Sequence, residues 1–236
     1  MRPVKKGGMF QMDDADRLFG VVTGDVVGST KLPPDERQRL FSVMKRGSDE
    51  LRNFLGEVVP LDVDIYAGDS WQLLVNDPAK ALRAALFYRA HVMAYAKEVD
   101  TRLAIAVGTI QFLPGNRVSE GDGEAFRLSG RLLKEHRDRR RMRFACGNAA
   151  LCELWDDIFG LVDALISSAW SQKRARAVTG AIQGHSPASI AARDSVSESN
   201  ISSLLEKAGW AAVQRIITQF ENSEIELMGG VQKRLD

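Results

Sequence analysis

The stretch VDIYAGDSWQLLVND, from Val63 to Asp77, limits the possible folds most, because it reads as two short strands meeting at a Gly68-Asp69 turn. Strands joined this tightly run antiparallel, which excludes a sheet built only from parallel crossovers. Around the hairpin the apolar pattern alternates between strand and helix. LFGVVTGD (Leu18 to Asp25) and RLAIAVGTI (Arg102 to Ile110) read as buried strands, and RMRFAC as a short one. A helix opens at Pro33-Pro34, with Asp35 and Glu36 near its positive end and Leu40, Phe41, Met44, Leu51, Phe54 and Leu55 at helical spacing. DPAKALRAALFYRAHVMAYAKEV reads as an amphipathic helix behind an Asp-Pro cap, and EAFRLSGRLLKEHRDR as another helix. The Gly- and Pro-rich FLPGNRVSEGDGE is a loop.

The order β-α-β-β-α-β-α-β predicts an α+β fold: an antiparallel or mixed sheet with helices on one face, a ferredoxin-like or palm arrangement. Beyond Leu161 no strand pattern remains. Helical segments are expected over Ser168 to Gln183, Pro187 to Arg193, Glu198 to Ala208 and Trp210 to Phe220, with a helix-turn-helix shape in the middle. The expected division is a mobile tail over 1–16, a palm domain over 17–161 and a small all-α, helix-turn-helix-like domain over 162–236.

Composition narrows the function classes. Of 236 residues, 44% are hydrophobic and 27% charged, with a net charge of +1, so no overall charge pulls the chain toward nucleic acid or membrane. No apolar run approaches the roughly 20 residues of a membrane span. The basic start lacks the apolar region of a secretory signal. Two cysteines, Cys146 and Cys152, are too few for a disulfide scaffold, and His91, His136 and His185 lack ligand spacing. A reduced, cytoplasmic setting follows as the expectation, with no membrane partner. The basic run KEHRDRRRMR reads first as a solvated helix end and second as a place for polyphosphate or RNA.

Two aspartates stand out. Asp25 ends the first strand, and Asp69 sits at the tip of a hairpin that should pair beside it. Either alone is an ordinary cap or turn residue. Side by side they would repel, and a pair of divalent cations, Mg²⁺ or Mn²⁺, would resolve the conflict and serve phosphoryl-type chemistry. The carbonyl of Val26 could be a further ligand. Backbone N–H groups of Gly28, Ser29 and Thr30, where the chain turns into a helix, would cradle phosphates, with Lys31 adding charge.

VVTGDVVGST, AGDSWQLLV, RLAIAVGTI and EGDGEAFRLSGRLLKE occur in an order that resembles the SatD-like bacterial proteins, whose palm is in turn similar to that of class III nucleotidyl cyclases. That resemblance implies a homodimer acting on a nucleoside triphosphate, with the 3′-hydroxyl attacking the α-phosphate and pyrophosphate leaving. It implies two metals on Asp25 and Asp69 of one subunit and a transition-state arginine, Arg131, from the other. The ribose-orienting asparagine of the cyclases is replaced by Arg127, one helical turn from Arg131 and with it either a phosphate contact or a solvated basic face. The purine-reading lysine would fall at Ile65, and the purine-reading acid at Glu120.

The C-terminal module supports a different reading, a DNA-binding regulator that uses the palm as a sensor or dimerisation platform. Ser197, Glu198, Ser199, Asn200 and Ser203 would face the major groove. The segment has two glutamates and one lysine, poor for phosphate contact, so docking to a protein partner fits equally. A dimeric scaffold with neither activity is the third reading.

Overall fold

The computed structural model describes residues 16–66, 68–135 and 140–229. The expected tail, apart from Asp16, and the centre of the basic run at 136–139, His136 included, lie outside them. Strand β1 (Leu18–Val27) is central in a mixed sheet ordered β2-β3-β1-β4-β5, with β2 (Asp64–Tyr66), β3 (Ser70–Val75), β4 (Asp100–Thr109) and β5 (Met142–Cys146). All neighbouring pairs are antiparallel except β4–β5. Strand β1 runs two residues past Asp25 because Val26 and Val27 keep pairing with Thr101 and Asp100.

Both faces of β1 are apolar, and both are covered. Val22 and Val26 join the core beneath helices α1 (Pro34–Leu55) and α2 (Ala81–Met93). Phe19 and Val21 pack with Ala125 and Phe126 of α3 (Glu124–Glu135) on the other side. Helices therefore lie on two faces, where the sequence predicts one. The parallel β4–β5 pair needs a crossover, and α3 makes it over the face on which Phe19, Val21 and Leu74 are still uncovered.

The C-terminal helices are α4 (Ala149–Ala169), α5 (Gln172–Ile182), α6 (Pro187–Asp194), α7 (Glu198–Lys207) and α8 (Trp210–Glu221). Helix α4 runs unbroken through the division expected between 161 and 162. Its Trp155 and Phe159 meet Phe144 of β5 and Phe220 of α8 at centroid distances of 4.9–6.1 Å, an aromatic knot of edge-on and tilted pairs. One buried cluster thus spans sheet and C-terminal helices. Helix α2, expected to be amphipathic, is instead buried almost all round, because α5 packs on its outer side. Between α6 and α7 the turn is made by Ser195 at φ 54°, a left-handed position usually given to glycine.

An ion network crosses this shared core. Arg89 on α2 is 0% exposed and donates to both oxygens of Asp100 on β4 (3.0 Å each) and to Asp163 on α4 (2.7 Å). Asp100 also accepts from Arg141 (2.5 Å), and the Arg141 backbone N–H donates to Asp163 (2.6 Å). Burial alone would raise the Asp100 pKa, but the charge and hydrogen bonds of Arg89, with Arg141, hold it below the usual carboxylate value. Its contribution to stability is complete above the unfolded carboxylate pKa, near 3.9, and is lost as pH falls through the lower folded value. Removing Asp163 leaves Arg89 Nη1 and the Arg141 N–H without their carboxylate acceptor, so Asp163→Ala should cost about 3–5 kcal/mol, read as a lowered urea midpoint. In Asp163→Ala the loss should be similar at pH 6 and pH 8, since the paired groups keep their charges across that range.

Candidate functional site

Alternation along β1 sends Thr23 and Asp25 toward the α3 face. The Thr23 hydroxyl shares a 2.9 Å hydrogen bond with Ser129 of α3 and accepts from Gln72 on β3 (2.8 Å). Asp25 lies beyond the reach of that polar chain, opposite Ser70 on β3 and Arg102 on β4. Its backbone is fixed from the other face. Trp71 Nε1 donates to Thr101 Oγ1 (2.9 Å), whose hydroxyl donates to the carbonyls of Asp25 (2.8 Å) and Arg102 (3.0 Å). The indole lies over Gly24, where a Cβ would come within 2.4 Å of the ring and 2.7 Å of the Arg102 carbonyl. Glycine precedes the aspartate because nothing larger fits.

Asp69 comes to the same end of the sheet. The Val26 N–H donates to its carbonyl (3.2 Å), tying the hairpin tip to the residue next to Asp25. Gly28, at φ 88°, turns the chain, and a Cβ there would lie 2.5 Å from the Glu98 carbonyl. That turn delivers Ser29 into a buried position from which its hydroxyl donates to the Asp69 carboxylate. The Ser29 side chain therefore positions a carboxylate, a role beyond the backbone part that the sequence reading gave this residue. The backbone N–H groups of Gly28, Ser29 and Thr30 open a single 3-10 turn (Ser29–Lys31) and have no partner within it. Thr30 and Lys31 are exposed. Val26 buries its side chain, and its carbonyl receives only a 3.5 Å contact from the Ser29 hydroxyl.

The residue missed in the sequence is Arg102. Its guanidinium forks onto Asp25, Nε to Oδ1 at 2.9 Å and Nη2 to Oδ2. The hydrogen bonds to Asp25, with the negative charges of Asp25 and Asp69, push the Arg102 pKa up. On the same face of β2, Asp64 accepts from the Ser119 N–H (3.0 Å) and hydroxyl and from Arg117 (3.4 Å), which pins the loop over 117–120 beside the site. Burial pushes the Asp64 carboxyl up, but Ser119 and Arg117 outweigh it and hold the carboxyl low. Tyr66 has its hydroxyl pKa raised by burial and by the negative charges of Asp64 and Asp25.

Other expected residues fall elsewhere. Ile65, between Asp64 and Tyr66, points to the opposite face and packs on the core, so it cannot read a base. Glu120 is exposed and pairs with Arg117 at 3.6 Å. Arg127 bonds Asp122 (2.8 Å) and lines a cleft with Arg17, Asn76, Thr109 and Gln111 at the far end of the sheet. Seven strand residues, ~23 Å, separate that end from Asp25. Arg131 is exposed on α3, with Glu135 at 3.9 Å. Within one chain, Arg127 and Arg131 make no hydrogen bond or ion pair with either aspartate. In the C-terminal module the Ser197 hydroxyl caps α7 by accepting from the Asn200 N–H (3.2 Å). Ser199 and Ser203 share an outer surface with Glu198 and Glu206.

Among the described residues no group of three or more His, Cys, Asp or Glu side chains forms a metal cluster. The oxygen donors present, two carboxylates and a carbonyl, suit a hard divalent cation. Arg102 offsets one of the two negative charges.

No protein-family model and no curated protein matches this chain. Solved structures similar to it include a bacterial light-regulated adenylyl cyclase, 16% identical over 54% of this chain and 75% of that one, with a TM-score of 0.39. The adenylyl cyclase CyaB from P. aeruginosa is 15% identical, with 60% and 81% covered and a TM-score of 0.40. A guanylyl cyclase is 14% identical, with 55% and 75% covered and a TM-score of 0.38. At those scores the likeness carries no weight for the activity of this chain.

Gly24→Ala should destabilise the fold by about 1–3 kcal/mol through overpacking against Trp71, measured as a lowered urea midpoint. A neutral outcome would mean that the indole does not lie over Gly24.

Proposed function

We propose that this chain binds a nucleoside triphosphate with a divalent cation at the end of the sheet carrying Asp25 and Asp69, and acts as a nucleotidyl cyclase-like enzyme. The observation that carries the reading is that both aspartates lie at one end of the sheet, the Val26 N–H beside Asp25 bonding the Asp69 carbonyl while Arg102 holds the Asp25 carboxylate and Ser29 that of Asp69. The motif order supports the SatD-like family as its setting.

Asp25, Asp69 and the Val26 carbonyl would hold Mg²⁺ or Mn²⁺. When bound, such an ion would neutralise phosphate charge and help orient the α-phosphate toward an attacking 3′-hydroxyl. A second ion of the expected pair would depend mainly on the triphosphate oxygens, because two carboxylates and one carbonyl are few donors for two ions. Ser29 keeps the Asp69 carboxylate turned to the site. The backbone N–H groups of Gly28 to Thr30, with Lys31, would receive phosphate oxygens. By the resemblance to the cyclases, Arg131 would serve a second copy of the chain in a homodimer; its one ion pair in its own chain is with Glu135. Positioning and electrostatics would supply the catalysis. The acidic outer face of α7 favours no DNA-binding reading.

Thermal-shift titration of the four common triphosphates with Mn²⁺ tests the proposal. At least one should raise the melting temperature only in the presence of metal, by several degrees at a hundredfold excess over Kd. Asp69→Ala should abolish that shift while leaving the melting temperature of the free protein within a few degrees. If no triphosphate stabilises wild type with either Mg²⁺ or Mn²⁺, the proposal fails.

A further inference from the structure

We propose that Cys146 and Cys152 form a peroxide-sensitive dithiol, which closes to a disulfide across the junction of β5 and α4 and loosens the C-terminal turn held on that junction. The pair takes no part in the metal and nucleotide reading above, so either can fail without the other.

One short turn brings the two thiols together. Cys146 ends β5, and Cys152 lies at the start of α4, with 147–151 between them. Cys146 Sγ donates to the Asn148 carbonyl (3.4 Å), and the Cys152 N–H donates to the same oxygen (2.8 Å). Strand β5 is an edge of the sheet, and side chains of α4 take up its outward backbone groups. The Phe144 N–H donates to Asp156 (2.7 Å), and Cys152 Sγ lies 3.8 Å from the Phe144 carbonyl. The Cys152 side chain is thereby folded back onto the strand end, where the two thiols hydrogen-bond one another.

Their surroundings give them different tasks. Cys146 is 7% exposed, whereas Cys152 is half-buried. The thiol and backbone N–H of Cys146, with the charge of Arg143, outweigh burial and the Asp156 charge and pull the Cys152 pKa down to about 6. The partner thiol, burial and the Glu124 charge on α3 push Cys146 up. Cys152 is therefore the attacking sulfur and Cys146 the resolving one.

The oxidant is hydrogen peroxide. The Cys152 thiolate attacks one peroxide oxygen, the O–O bond breaks, and hydroxide leaves and takes a proton to become water. Cys146 then attacks the Cys152 sulfenic acid. The S–S bond forms, the S–O bond breaks, and the hydroxyl leaves as water with the Cys146 thiol proton. Two thiols lose two electrons, and one peroxide becomes two waters. Without its proton the Cys146 sulfur no longer donates to Asn148. That residue caps α4 by accepting from the Leu151 N–H (3.2 Å), and its own N–H donates to the carbonyl of buried Met228 (3.2 Å). The turn Ile225–Met228 is thus one hydrogen bond from the dithiol.

The chain has no cysteines besides this pair, so thiol counting reads it directly. Wild type given a small excess of hydrogen peroxide should lose both free thiols and two hydrogen atoms of mass, and dithiothreitol should restore them. It should still run as a single chain on a non-reducing denaturing gel. Cys146→Ser should stop at the Cys152 sulfenic acid, trapped by dimedone. In Cys152→Ser the remaining thiol should react about tenfold more slowly than Cys152 does in wild type. The wild-type measurements carry the test if neither variant folds. Amide exchange over Ile225–Met228 should quicken severalfold on oxidation and recover on reduction. Thiols that survive peroxide, oxidation of Cys152 with Cys146 left free, or a disulfide between chains overturns the dithiol. Unchanged exchange over that turn overturns its link to the C-terminal segment.

Discussion

Arg89 is the point on which the architecture turns. It is a fully buried guanidinium, and it holds carboxylates from β4 and α4 at once. A buried charge tolerates few arrangements, because each unsatisfied donor or acceptor costs more than an imperfect apolar contact. Helix α2, the start of β4 and the middle of α4 must therefore meet in one register. Asp100, fixed in this way, is followed by Thr101 and Arg102 on the same strand. Thr101 holds the Asp25 carbonyl and Arg102 holds its carboxylate. The geometry of the candidate site is thus a short chain of contacts away from the network that joins sheet and C-terminal helices.

That link explains why the molecule does not divide where its sequence changes character. The segment beyond Leu161 has no strands, which makes it look like a separate unit. Yet α4 crosses the expected division without a break, and Phe220 of α8 packs between Trp155 and Phe144. Helix α5 covers the outer face of α2, so residues on that face are apolar as well. A helix read as amphipathic from its sequence is in fact enclosed. Its outward apolar residues are legible only when the covering helix is known.

The same distinction runs through the site. The strands, the hairpin, the later helices and the two aspartates were legible, because each depends on local periodicity or on a turn dipeptide. The side of the sheet taken by α3 was not, because it depends on β4 and β5 being parallel. Arg102 was not legible either. It stands 77 residues from Asp25 and opens a strand whose other residues are mostly apolar, so only the register Asp25↔Arg102 reveals its role. Ser29 looked like part of a phosphate loop from its place beside a glycine. The left-handed turn at Gly28 also carries its side chain inward onto Asp69, a contact no local pattern announces.

The candidate site thus sets Asp25, forked by Arg102, and Asp69, held by Ser29, at one end of the sheet, beside the turn at Gly28. The most direct test is a crystal structure with Mn²⁺ and a non-hydrolysable triphosphate analogue, using the anomalous signal of manganese. The account predicts a manganese peak within coordinating distance of the Asp25 and Asp69 carboxylates. A manganese peak away from these carboxylates, or none, would contradict it.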